Sequence, residues 1–136
     1  MQGQQAMQQY QQLQQQIEQV QEYVEQVEQN IEESQETVQA VKQLEDAEEG
    51  SEVLAPIGSG VSAITELKET GKVVVNIGSE TMKQTDLEGA EKVLQDRQEN
   101  LKSTKEELDE TLDELRSQMQ EIQQEIQRQQ AEQQEE

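Results

Sequence analysis

The chain has 136 residues, 30% of them hydrophobic and 1% aromatic, with 31 acidic side chains against 10 basic ones and a net charge of −21. That length holds one domain at most, and two Tyr with no Phe or Trp leave few of the large side chains that fill a compact core. Cys and His are absent, which excludes disulfides, Cys/His zinc sites, thiol nucleophiles and histidine general bases.

The acidic balance repels a phosphate backbone, so no nucleic-acid partner is expected. No charged-then-apolar leader opens the chain, and no apolar run approaches the ~18 residues of a membrane span. A soluble, cytoplasmic protein with no membrane association is the expectation, and the lack of Cys fits a reducing interior. Composition then divides the sequence into three parts, residues 1–50, 51–84 and 85–136, with net charges of −10, −1 and −10. A nearly neutral middle separates two acidic, Gln- and Glu-rich arms.

In the first arm Tyr10, Leu13, Ile17, Val20, Val24, Val27, Ile31, Val38 and Val41 follow alternating steps of three and four, with Ser34 filling the missing step. Such spacing sets the side chains on one narrow stripe of a helix, the seam of a coiled coil, predicted here over residues 4–48. A disordered glutamine-rich tract would not keep nine apolar residues in step.

The middle part, residues 52–84, reads as four short strands in two hairpins. Val53 to Ile57 leads through Gly58-Ser59-Gly60 to a run from Val61 to Leu67. A turn at Glu69-Thr70-Gly71 opens a third run, Lys72 to Ile77, and Gly78-Ser79 turns into a fourth through Met82. Pro56 cannot donate to a ladder, so its strand is an edge or carries a bulge there. Gly58-Ser59-Gly60-Val61-Ser62-Ala63 matches the dinucleotide fingerprint in form. A strand follows it where the fingerprint needs a helix, so it reads as a glycine turn.

The last arm, predicted helical over residues 85–133, opens on a candidate capping box of Thr85 and Glu88. Leu87, Leu94, Leu101, Leu108, Leu115 and Ile122 recur every seven residues. Their companions are Ala90, Arg97 and Thr104 near the start and Leu112, Met119 and Ile126 further on, so the distal half should pair more firmly. Each arm would be roughly 60–70 Å long.

The many carboxylates lie on solvated helix faces, with no sign of the pocket that separates the pKa values of an acid–base pair and no EF-hand spacing. No catalytic residue, metal ligand or cofactor site is expected, and the chain does not read as an enzyme. What remains is apolar material at the arm ends: Met1, Met7, Tyr10 and Leu13 would lie opposite Met119, Ile122 and Ile126 in an antiparallel pair.

Two arms flanking a short β segment pair only if the chain doubles back. The expected fold is therefore α+β: a long antiparallel coiled-coil hairpin with two β-hairpins at one end. Isolated hairpins expose edges and apolar faces, so Val53, Leu54, Ile57, Val61, Val73, Val74, Val75 and Ile77 are expected to drive assembly of several chains into a β-barrel body.

The stretch Gly50-Ser51-Glu52-Val53-Leu54-Ala55-Pro56-Ile57-Gly58-Ser59-Gly60-Val61, followed by Lys72-Val73-Val74-Val75-Asn76-Ile77-Gly78, resembles the alpha subunit of archaeal prefoldin. Glu80-Thr81-Met82 departs from that family's pattern, where Gly and an aromatic residue are expected. The resemblance implies a hexamer of two alpha and four beta subunits with six coiled-coil tentacles on a double barrel. It implies an ATP-independent chaperone that holds unfolded proteins at its tips and passes them to a group II chaperonin. On that reading Met7, Tyr10, Leu13, Met119, Ile122 and Ile126 contact clients. A structural coiled-coil spacer with a β oligomerisation module is the rival reading.

The charge yields a first prediction. Like charges face each other across a helix pair, and their screening length falls from about 10 Å at ~0.1 M salt to about 3 Å at ~1 M. An acidic excess of this kind is used by halophiles, so the chain is expected to work in a salty cytoplasm. The melting midpoint followed by circular dichroism should rise between low and molar KCl; an unchanged midpoint would remove self-repulsion as the limiting term.

Overall fold

The computed structural model describes residues 2–135. In chain order it has α1 (Gln2–Glu45), β1 (Glu52–Gly58), β2 (Val61–Glu66), β3 (Lys72–Gly78), β4 (Thr81–Asp86) and α2 (Leu87–Glu135). The chain forms two compact units: residues 1–31 with 100–136, and residues 32–99.

In the first unit α1 and α2 run antiparallel. Gln123 Nε2 donates to Tyr10 Oη at 3.1 Å, and Lys105 Nζ lies 3.2 Å from a Glu28 carboxylate oxygen, so partners move in opposite directions along the two helices. The α1 stripe is the one that the heptads mark. Leu13 and Ile17 are buried, and Tyr10, Val20, Val24, Val27 and Ile31 are half-buried among exposed Gln and Glu. Ala6, one step earlier in the same stripe, is buried as well. From α2 the stripe takes Leu101, Lys105, Leu108, Leu112, Leu115, Met119, Ile122, Ile126 and Gln129. Leu112 is the most enclosed of these, at 6% exposure.

The α2 companions need correction near the helix start. The positions that turn inward are Gln98 and Lys105, while Arg97 and Thr104 are exposed. Each has another use: the Arg97 guanidinium donates to the Asn76 carbonyl, and the Thr104 hydroxyl donates to the Asn100 carbonyl at 2.9 Å. One heptad phase thus runs unbroken from Leu94 to Gln129, with polar residues at two of its early inward positions.

In the second unit Leu87, Ala90 and Leu94 are buried, with Ser34, Val38, Val41 and Leu44 half-buried. Helix α1 closes at Glu45 rather than reaching residue 48. The amides of Asp46 and Ala47 there bond the carbonyls of Gln43 and Leu44, both at 3.2 Å, a tightened last turn. Gly50 follows with φ +84°.

Each β ribbon is a separate two-stranded antiparallel sheet. In the first, Val53 faces Thr65 and Leu54 faces Ile64, and the register shifts between Pro56 and Gly58, with Ile57 left between the two pairs. In the second, Val73 faces Thr85 and Val74 faces Gln84, with the same shift between Asn76 and Gly78. Here Asn76 Oδ1 accepts from the Gly78 amide at 2.9 Å. The hairpins are thus a repeat offset by 20 residues, and Val53/Val73, Ile57/Ile77, Gly58/Gly78, Ser59/Ser79 and Thr65/Thr85 keep their identity. The two central residues of each turn are at positive φ, Ser59 with Gly60 (51° and 79°) and Ser79 with Glu80 (48° and 63°), as a two-residue hairpin of primed type requires, and each pair follows a glycine that is also at positive φ, Gly58 and Gly78.

The cap of α2 is Asp86, not the Thr85–Glu88 box. The Gly89 amide donates to Asp86 Oδ1 at 2.8 Å, while Thr85 is held in the β4 ladder opposite Val73. With Asp86 as cap the third helical position is Gly89, which has no carboxylate to complete a box. A Cβ at Gly89 would also run into the Thr85 side chain.

Two substitutions test these local readings. Glu80→Gly should raise stability by about 0.5–1 kcal/mol, because relief of the left-handed strain exceeds the extra freedom of Gly in the unfolded chain. Asp86→Ala should lower it by about 1 kcal/mol through loss of the cap. Urea unfolding followed by far-ultraviolet circular dichroism measures both, and opposite signs are the expected outcome.

Candidate functional site

Two surfaces carry the residues that the sequence singles out. The first is formed by the hairpins of the second unit. Strand alternation sends Ala55, Ala63, Thr65, Leu67, Val73, Val75 and Thr85 to half-buried positions and leaves the opposite faces open. Leu54 and its cross-strand partner Ile64 are 68% and 72% exposed, and Ile57, Val61, Val74, Ile77 and Met82 are exposed with them. Val53 stands between the two groups at 40%. The expected assembly residues therefore separate. Leu54, Ile57, Val61, Val74 and Ile77 lie open, whereas Val73 and Val75 serve the covered face. Ile64 and Met82 belong to the open set although the sequence reading left them out. The signal for Ile64 was its place opposite Leu54, legible only once the register is known.

These open faces are apolar at their centres and charged at one end. Glu52 stands opposite Glu66, and Lys72 opposite Asp86. Like charges directly across a ribbon are unfavourable, and opposite ones are mildly favourable. Every strand also keeps one unpaired edge, since each sheet has only two strands. A solvated ribbon with an apolar open face and free edges is marginal by itself, so these surfaces call for cover.

The second surface is at the end of the first unit, where residues 3–16 lie beside residues 118–130. Met7 is exposed at 54%, and Tyr10, Met119, Ile122 and Ile126 are half-buried. Leu13 is buried at 8%, so the seam itself uses it. Met1 lies outside the described residues. Two shallow open grooves flank the seam here. One is lined by Gln4, Met7, Gln8, Gln11 and Ile126 among others, and the other by Gln9, Gln12, Leu13, Gln16 and Ile122 among others. Both combine an apolar floor with amide-bearing walls, and Glu121 adds a carboxylate to the second.

Among the described residues no group of acidic side chains converges as a metal site, and no helix is long and apolar enough to cross a membrane. The one ion pair among them, Lys105 with Glu28, joins side chains that are 38% and 51% exposed, so it contributes little stability. Its place in the seam matters more for register, since a polar residue at an inward position disfavours slipped pairings.

Two long helices flank two antiparallel hairpins in the chain, an α+β fold with open apolar β faces and an apolar helical seam. The family model for prefoldin subunits matches residues 13–132, and the chain belongs to the prefoldin family. Among solved structures it is similar to a chain of the filamentous PFD from Methanocaldococcus jannaschii, determined by cryo-EM. The TM-score is 0.78 at 23% identity over 85% of this chain and 95% of that one. No curated protein matches the sequence.

The open hairpin faces generate a prediction. Leu54→Asp combined with Ile64→Asp puts two charges on the exposed face of the first ribbon and leaves its covered face intact. Sedimentation should show the loss of assembly with the helical circular dichroism signal retained. An unchanged oligomer would place the assembly surface elsewhere.

Proposed function

We propose that this chain is a subunit of a nucleotide-independent holdase, which captures unfolded polypeptides at the end formed by Met7, Tyr10, Leu13, Met119, Ile122 and Ile126 and passes them to a group II chaperonin. Membership of the prefoldin family supports a chaperone-type function in general. The observation that carries the finer reading is the open groove at that end, where exposed Met7 stands beside half-buried Ile126. A flexible methionine in a shallow apolar groove suits weak contact with many sequences, and several such ends on one particle would turn weak contacts into useful avidity. The reading includes no catalysis and no cofactor.

Assembly completes the proposal. The open faces of two hairpins per chain favour the alpha class, here in a complex of two alpha with four beta subunits acting in a salty cytoplasm. Open-ended association of copies of this chain is the second reading. The twin hairpins favour it, because two similar ribbons on one chain permit a heterologous contact that need not close. Co-purification from the native host followed by mass measurement separates the two.

The functional test is suppression of aggregation of an unrelated unfolded protein, without nucleotide, by the assembled complex. Full suppression is expected for the intact protein. Deletion of residues 1–13 with 118–136 should abolish most of it while assembly persists, and added group II chaperonin should release the client. A complex that suppresses nothing is the outcome for a spacer or scaffold.

A further inference from the structure

Residues 1–17 contain no charged side chain in a protein of net charge −21, and 10 of the 17 are Gln. Solubility and helix propensity do not account for this, because Glu serves both equally well and fills equivalent outward positions along the rest of α1. The glutamines lie where they line a surface: Gln4, Gln8 and Gln11 beside Met7 and Ile126 in one groove, Gln9 and Gln12 in the other. Among the described residues none of these five side chains makes a hydrogen bond within the chain; the glutamine side chain that does is Gln123, which donates to Tyr10.

A glutamine side chain ends in the same group that a polypeptide backbone repeats, an uncharged amide with N–H donors and a carbonyl acceptor. An unfolded chain displays one such donor and acceptor per residue, and these are groups that must find partners whenever water is excluded. We propose that each groove holds an extended segment of unfolded polypeptide through its main-chain amides, with Gln8 and Gln11 as donors and acceptors over a narrow apolar floor of Met7 and Ile126 in one, and Gln12 over Leu13 and Ile122 in the other. This rests on the capture reading above and specifies what is recognised: the neutral backbone common to all sequences, in a region free of charge on its α1 side. Strongly acidic segments are disfavoured by the field of the rest of the protein.

The test uses the full chain in its assembled form and two short unstructured peptides of Leu, Ala, Ser and Lys with identical side chains. One has a normal backbone; the other is methylated at alternate backbone nitrogens, which removes those donors. Fluorescence anisotropy should show the methylated peptide binding about tenfold more weakly, the loss of one to two net hydrogen bonds. A variant with Gln8→Met, Gln11→Met and Gln12→Met keeps side-chain length and helix propensity at exposed positions, and its melting midpoint checks its fold. It should bind the two peptides nearly alike, which also separates lost hydrogen bonds from any stiffening by the methyl groups. Equal binding of both peptides by the unaltered protein overturns the proposal and leaves capture at this end standing. Binding of neither overturns both. A variant that discriminates as well as the unaltered protein removes the glutamines from the mechanism and overturns the proposal.

Discussion

Everything in this protein follows from how little apolar material it has and how narrowly that material is placed. Among the described residues Ala6, Leu13, Ile17, Leu87, Ala90, Leu94 and Leu112 are the buried apolar side chains, and no large side chain is fully enclosed. Such a chain cannot surround a volume. It can only close a line, and the heptad stripe of two antiparallel helices is the arrangement that buries a line of side chains along its whole length. The outer helix faces then have no packing role, which is why most of their positions are polar, Gln and Glu above all. The β ribbons inherit the same shortage. Each has enough apolar residues for two faces but only one face that the chain itself covers.

The seam of α1 is legible in the sequence from Tyr10 to Val41, while Ala6 and Leu44 extend it at its two ends. Val, Ile and Leu at three–four spacing admit a single stripe, and Ser34 could be placed in it by step alone. The early part of α2 was not, because around Leu94 and Leu101 neither candidate companion position holds an apolar residue. Gln98 and Lys105 occupy the inward phase by continuity with Leu112, Met119 and Ile126, a constraint that acts through the helix and leaves no local trace. The Thr85–Glu88 box failed for a related reason. Its spacing was right, but β4 extends to Asp86 and takes Thr85 into the ladder first. For the candidate surfaces, sequence identified the apolar residues of the hairpins and of the helix ends. It could not decide which side of each ribbon was open, since a shift of one residue exchanges the faces. Pattern alone therefore groups Val73 and Val75 with Leu54 and Val74.

The duplicated hairpin also clarifies the departure at Glu80-Thr81-Met82. Gly60 and Glu80 are equivalent positions with nearly the same backbone, φ +79° and +63°. The second turn therefore keeps its geometry without the residue best suited to it. Pro56 and Asn76 are equivalent as well, and each answers the register shift beside it differently: the proline has no amide to pair, and the asparagine side chain accepts from Gly78. One backbone plan carries two different sets of side chains.

In the terms of polymer chemistry, that repeat sets the functionality of the monomer. A chain with a single ribbon presents one open apolar face. A chain with two, at Leu54–Ile64 and Val74–Met82, is bifunctional: it can bridge neighbours, and whether a ring or a strand results depends on the angle between successive links. Because the ribbons differ at Glu52 and Lys72, the two open faces are not interchangeable.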